Sequence, residues 1–278
     1  MNHLHFSSRR APLSIVLVGA GNVATQLGCA LQRAGFRMAQ VYSRTERSAA
    51  RLSSRLRAPY TVDVRRIVPD AELYVFSVAD SAILPLLQQM PSVEGLCVHT
   101  AGSVPADVFR GYSDRYGVLY PLQTFCRERD VAFDRIPVLY EANGEADERL
   151  LQRVAEKLSS TSLRMDSAKR KEVHLAAVFA CNFANYMYSL ATEIMEEAGV
   201  GRELLFPLIE ETASKIRSLH PLAAQTGPAV RGDRATVDGH LSLLRGADQR
   251  KIYEALSSGI MAQASASLSS GERSASIQ

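Results

Sequence analysis

Ser14-Ile15-Val16-Leu17-Val18-Gly19-Ala20-Gly21-Asn22-Val23-Ala24 is the stretch whose reading decides the fold. Five residues of strand character run into two glycines, and a helix-forming stretch follows at once. Strand, then G-x-G-x-x-A, then helix is the setting that the dinucleotide-binding fingerprint requires. Gly19 permits the tight turn out of the strand, and Gly21, with no Cβ, lets a pyrophosphate approach the backbone. Ala24 stands where a third glycine often stands, small enough for the helix to pack close on the sheet. The helix opening at Asn22 and Val23 turns its free N–H groups and positive dipole end toward the phosphates. The plainer reading, two glycines that only shape a βα turn, is disfavoured by the Val/Ile/Leu run immediately before them.

Downstream, residues 25–34 read as a helix closed by Gly35, and 38–42 as a second strand ending in Ser43-Arg44-Thr45. An NAD site places an Asp or Glu about 20 residues past the glycines, on the ribose hydroxyl. Here Ser43 and Arg44 stand instead, and a hydroxyl with a guanidinium suits a phosphate dianion, so NADP is favoured over NAD. Arg47 and Arg51 either join Arg44 or form a solvated helix face. Residues 49–56 are helical, and 73–78 form a buried strand by their β-branched and aromatic content. Asp80 is a candidate N-cap for a helix over 82–89. Ligands of such sheets lie outside the carboxyl ends of the strands, which makes Ser77, Val78, Ala79 and Asp80 a cofactor wall. The strand over 95–98 ends in His99-Thr100-Ala101-Gly102-Ser103. Thr100 and His99 join that wall, with His99 read as a backbone or cofactor-amide partner ahead of a catalytic acid. Residues 118–125, 136–141 and 162–165 are further strands, with a helix over 147–158, giving seven or eight strands in all.

After Ser167 the strand signal ends. A long helix over 171–198 carries His174, Asn182, Asn185, Ser189 and Thr192 within one arc at about 100° per residue. Phe179, Phe183, Tyr186, Met187, Leu190 and Ile194 occupy the opposite side, and both uncharged faces read as buried. The polar stripe either meets backbone partners or faces a cleft holding nicotinamide and substrate; the cleft is favoured. Residues 203–219, 236–244 and 248–264 are helical, with Thr236 and Asp238 suited to a helix start. Arg231 is either a ligand for an acidic substrate or paired with Asp233.

Composition narrows the classes. The 278 residues exceed what one core usually organises, so two domains are expected. A net charge of +3 argues against nucleic acid, and no stretch is long and apolar enough to span a bilayer. Cys29, Cys97, Cys126 and Cys181 show no metal-type spacing, which is the pattern of reduced thiols in a cytoplasmic protein.

Gly19–Ala24, His99–Ser103, Pro121-Leu122-Gln123-Thr124-Phe125, the His174–Asn185 helix and Thr226-Gly227-Pro228…Arg231-Gly232-Asp233 occur in that order. Together they resemble the NADP oxidoreductases with a Rossmann-like N-terminal domain and an uncharacterised helical C-terminal domain. These are distant relatives of pyrroline-5-carboxylate reductase, the deazaflavin-linked NADP reductases and the 6-phosphogluconate dehydrogenase group. The resemblance covers nearly all of residues 12–262. It implies an NADP site, a helical domain used for homodimerisation and an active site between the domains. Many members carry His-Pro where this chain has Tyr120-Pro121, which bears on any proton-transfer role there. The Lys-and-Asn pair that related hydroxyacid dehydrogenases carry on the long helix is absent in its usual spacing, since residue 178, four before Asn182, is Val.

The expectation is therefore an α/β chain, a doubly wound Rossmann-like sheet followed by an all-α C-terminal domain. Tails over 1–11 and 265–278 flank an NADP-binding domain over 12–166 and a helical domain over 167–264. The expected activity is hydride transfer between NADPH and a small carbonyl or imine compound. His174 is the proton donor or orienting group, and Asn182 and Asn185 hold substrate polar atoms. The alternative is an NADP-binding redox sensor or scaffold without turnover.

Overall fold

In the computed structural model, which describes residues 11–129 and 131–275, the chain begins with β1 (Ser14–Val18), α1 (Asn22–Arg33) and β2 (Arg37–Tyr42). It continues through α2 (Glu46–Leu56), β3 (Tyr60–Thr61), β4 (Leu73–Phe76), α3 (Ile83–Leu87), β5 (Leu96–His99) and β6 (Tyr116–Pro121). A long loop leads to β7 (Val138–Ala142), α4 (Glu145–Leu158) and β8 (Ser162–Arg164). The eight strands form one sheet in the order β3-β2-β1-β4-β5-β6-β7-β8, parallel except at the β6–β7 pair. The order reverses between β1 and β4, and that switch point opens a crevice at the carboxyl ends of these strands.

Alternation along the strands divides the core in two. Ile15 and Leu17 face one side with Leu27, Leu31, Leu52, Leu56, Leu151 and Val154 of α1, α2 and α4. Val16 and Val18 face the other with Tyr74, Phe76, Ile83, Leu86 and Phe109. Sheet faces buried on both sides explain why β1 and β4 read as continuous apolar runs.

The described residues divide into two compact units, one ending at Phe183 and the other beginning at Ala184. The first takes in α5 (Ser167–Ala177) and a π-turn at Val178–Phe183. The second contains α6 (Ala184–Glu197), α7 (Phe206–Lys215), α8 (Pro221–Ala224), α9 (Arg234–Leu243) and α10 (Ala247–Ala275). Three details differ from the sequence reading. Asp80 caps no helix: it opens a 3-10 turn, and α3 starts at Ile83 with no side-chain cap. Asp233, ahead of Thr236 and Asp238, caps α9 and accepts from Thr236 N at 3.1 Å. Helix α10 runs on through Ala275, because an established helix propagates through serine and alanine at little cost. Of the two expected tails, residues 1–10 and 276–278 lie outside the described residues.

Candidate active site

The site is built at the end of β1. Gly19 leaves the strand at φ +123°, and a Cβ there would stand 2.3 Å from Ser77 O. Only glycine fits, and its N–H donates to Tyr42 O at 2.8 Å. Gly21 is different: a Cβ on it meets nothing nearer than Ser77 O at 4.0 Å. Its hydrogen therefore leaves open space over the start of α1, where no side chain caps the first turn and no acid stands in it. That combination is a ready anion site.

A cavity of about 1130 Å³ extends from this turn, with all its lining residues in the first unit. Gly19, Gly21, Asn22 and Val23 line it, as do Ser43 and Arg44 beyond β2, and Ser77, Val78, Ala79, Asp80 and Thr100 beyond β4 and β5. Thr45 and Ser48, at the uncapped start of α2, stand beside Arg44, whereas Arg47 and Arg51 do not line the cavity. Arg44 thus has hydroxyls and helix amides for company, a set that accepts a phosphate dianion. The donor set and the space beyond Gly21 fit an NADP molecule laid across the carboxyl ends of the strands.

Two of the residues expected at the cofactor, Ala24 and His99, do not line this cavity. Ala24 is fully buried between α1 and the sheet. His99 is 0% exposed and stacks on Phe109 with ring centroids 5.8 Å apart. Its Nδ1 accepts from Ala101 N at 3.1 Å and its Nε2 donates to Pro105 O at 3.3 Å. The backbone consumes both nitrogens, and alternation along β5 puts His99 on the face of Cys97, under Phe109. Asp80 lines the cavity, and its carboxylate accepts from Ser103 Oγ at 2.7 Å, tying two strand-end loops together.

The far end of the cavity is formed by α5 and β6. Asp166 caps α5 by accepting from Lys169 N at 2.8 Å. Arg170, 1% exposed, locks the first turn to the sheet through an ion pair with Glu141 and a bond to Val104 O. One turn further on, His174 Nδ1 lies 3.0 Å from Tyr120 Oη, and both residues line the cavity. A Cβ on Gly102 would be 2.4 Å from the His174 ring, so glycine is what admits the imidazole. Burial raises the Tyr120 phenol above its ordinary value, more than the Arg170 charge lowers it.

Val173, Ala176, Ala177 and Ala180, spaced i, i+3, i+4 and i+7, pave the wall beside His174 and leave room for a small molecule. Asn182 lines the cavity from the π-turn, and Asn185 belongs to the second unit. The 100° periodicity used to group these residues fails across 178–183, where i→i+5 bonding changes the phase. Ser189 and Thr192 find helix partners, donating to Asn185 O and Tyr188 O. Tyr120, Gln123, Thr124 and Arg127 also line the cavity, although the sequence reading assigns none of them to the site. Their signal was the position of Pro121–Phe125 at the carboxyl end of a strand of the same sheet.

Residues 3–123 match the Rossmann-like domain family, and residues 136–260 match a domain of unknown function, DUF2520. Over 90% of this chain and 98% of the other, the chain is similar to the putative NADP oxidoreductase BF3122 of Bacteroides fragilis, with 44% identity and a TM-score of 0.86. The imine reductase of Myxococcus stipitatus, in complex with NADP+, shares 16% identity at a TM-score of 0.62, covering 93% of this chain and 95% of its own. The reductive aminase of Aspergillus terreus, in complex with NADPH and ethyl-5-oxohexanoate, shares 16% at 0.68, covering 87% and 93%. These last two are likenesses of fold. No curated protein matches the chain.

Proposed function

We propose that this chain, which belongs to the family joining a Rossmann-like domain to the DUF2520 domain, is an NADP-dependent oxidoreductase that transfers a hydride between NADPH and a small carbonyl or imine compound. The observation that carries the reading is the 3.0 Å bond between Tyr120 Oη and His174 Nδ1 in the wall of the cavity that also holds the glycine turn. Gly19, Gly21, Asn22 and Val23 receive the diphosphate, Ser43 and Arg44 the 2′-phosphate, and Ser77–Asp80 with Thr100 flank the remainder. NADPH, when bound, supplies the hydride. Adding a hydride to C=O or C=N leaves an oxygen or nitrogen that requires a proton.

Tyr120 supplies it. Burial keeps the phenol protonated at neutral pH. With His174 protonated, Nδ1 donates to the phenol oxygen and leaves the O–H free for substrate. The phenol proton passes to the developing anion, the Nδ1 proton follows to the phenol, and a neutral imidazole remains. His174 thus orients and recharges the donor. Asn182 holds a polar atom of the substrate; Asn185 is assigned the same task from the sequence alone. In this reading the second unit forms a homodimer contact.

The test is a panel of ketones, aldehydes and imines with NADPH. Tyr120→Phe lowers kcat roughly 10²–10⁴-fold while the Kd for NADPH is unchanged. Full turnover by Tyr120→Phe removes the donor assignment. NADPH oxidation at background across the panel, despite tight binding, favours a sensor that binds NADP without turnover.

A further inference from the structure

The loop between β6 and β7 is strapped across the start of α1. Asn22 Nδ2 donates to Phe125 O at 2.9 Å, and Gln26 Nε2 donates to Cys126 O at 2.8 Å and Arg129 O at 3.0 Å. Gln26 is buried, and Phe125 stacks on Phe133 with centroids 6.0 Å apart. Two side chains of the helix are therefore spent on fixing a loop. What the loop carries at that point is Arg127.

Arg127 lines the cavity beside the glycine turn, and its Nη2 donates to Ala20 O at 3.1 Å. Its Nε is buried and has no hydrogen-bond partner among the described residues. The neighbouring Glu128 is exposed and takes its hydrogen bond from Cys126 Sγ at 2.8 Å. Among the described residues no carboxylate forms a salt bridge with Arg127. The guanidinium therefore brings to the cavity a positive charge that no ion pair takes up, and an anionic group is its complement there.

We infer that Arg127 is a cationic clamp for the diphosphate of the bound dinucleotide, an inference that rests on the NADP reading above. The glycine turn and α1 offer the diphosphate only neutral amides and the partial charge of a helix end. Arg127 adds a full charge and a forked donor, held in place by its bond to Ala20 O. Its role differs from that of Arg44, which answers to the 2′-phosphate alone.

Calorimetric titration separates the two arginines. The ligands are NADPH, NADH and 2′-phosphoadenosine, which lacks a diphosphate. Arg127→Ala weakens NADPH and NADH by one common factor, about tenfold to a hundredfold, and leaves 2′-phosphoadenosine within about twofold. Arg127→Gln, which keeps a polar side chain and loses the charge, behaves the same way, and Arg127→Lys recovers part of the affinity. Arg44→Ala gives the complementary pattern, weakening NADPH and 2′-phosphoadenosine and sparing NADH. Undiminished NADPH affinity in Arg127→Gln overturns the clamp. So does an equal loss for 2′-phosphoadenosine, which makes Arg127 a strut of the loop. If the unaltered chain binds neither dinucleotide, the NADP reading falls together with the clamp, whereas tight binding insensitive to Arg127 removes the clamp alone.

Discussion

His99 has a proton on Nε2 committed to Pro105 O and a lone pair on Nδ1 committed to Ala101 N, with Phe109 over its ring. Burial, and then the charge of Arg170, lower its pKa from the ordinary 6.5 to about 4. The folded chain therefore keeps His99 neutral while the unfolded chain takes up a proton below pH 6.5. Stability from this residue is fully present above pH 6.5 and is lost as the pH falls toward about 4. The gap is worth about 3 kcal/mol. Denaturant unfolding of the unaltered chain should lose up to about that much between pH 7 and pH 4. His99→Gln should be weaker at pH 7 and lack this component of the slope. Equal slopes for the two proteins contradict the burial argument.

At the same scale, some residues announce their position and others do not. Gly19 is legible because a sharp turn after an apolar run needs φ > 0, which glycine alone adopts freely. His99 is legible only once the strand is known to be buried on both faces, since alternation then sends it under Phe109. Tyr120 and His174 lie 54 positions apart, and nothing local in either one points to the other. Their meeting depends on Arg170 fastening α5 to Glu141 of β7, a contact between elements that sequence periodicity does not encode.

Elements with long periodic runs were readable: β1, β2, β4, α1, α2 and α4 follow from two- and 3.6-residue alternation. The π-turn at Val178–Phe183 was not, because one extra residue per turn leaves no compositional mark. The start of α2 permits a prediction that belongs to the element. Ser43, Arg44, Thr45 and Ser48 gather there around a helix end with no side-chain cap. A charge-assisted bond to phosphate is worth roughly 1.5–3 kcal/mol, about tenfold to more than a hundredfold in affinity. NADPH should bind at least about tenfold more tightly than NADH. Arg44→Ala should erase most of that difference by weakening NADPH, and Ser43→Asp should reverse it, since a carboxylate repels the 2′-phosphate and accepts from the free ribose hydroxyl. Paired titrations decide the matter; equal affinities for the unaltered chain make Arg44 a surface arginine.

For the whole molecule the telling contrast is in burial. The first unit buries apolar side chains on both faces of its sheet, whereas the described residues of the second bury only Ala224, Ala229 and Val237 among hydrophobics. No residue of α6 or α7 is buried. The expectation that both faces of the long helix are covered is thus not met within a single chain. Isolated helices of this length are marginal in water and draw most of their stability from packing an apolar face. Leu204 is 71% exposed, Leu208 64% and Leu243 76%, and Phe206, Ile216, Leu219 and Leu256 are exposed too. An apolar surface on that scale calls for a partner, and a second copy in an isologous arrangement is the commonest solution. A stable contact buries about 1,200–2,000 Å² in total, which side chains spread over α6, α7 and their neighbours can supply. Light scattering at micromolar concentration should give twice the mass of the chain. Leu208→Glu should shift the mass toward the monomer and lower the melting temperature of the helical unit, because a carboxylate cannot be desolvated there without a partner. Glu210→Gln, a change of charge in the same helix that adds no carboxylate, should leave the dimer intact. A monomer for the unaltered chain at these concentrations would refute the dimer.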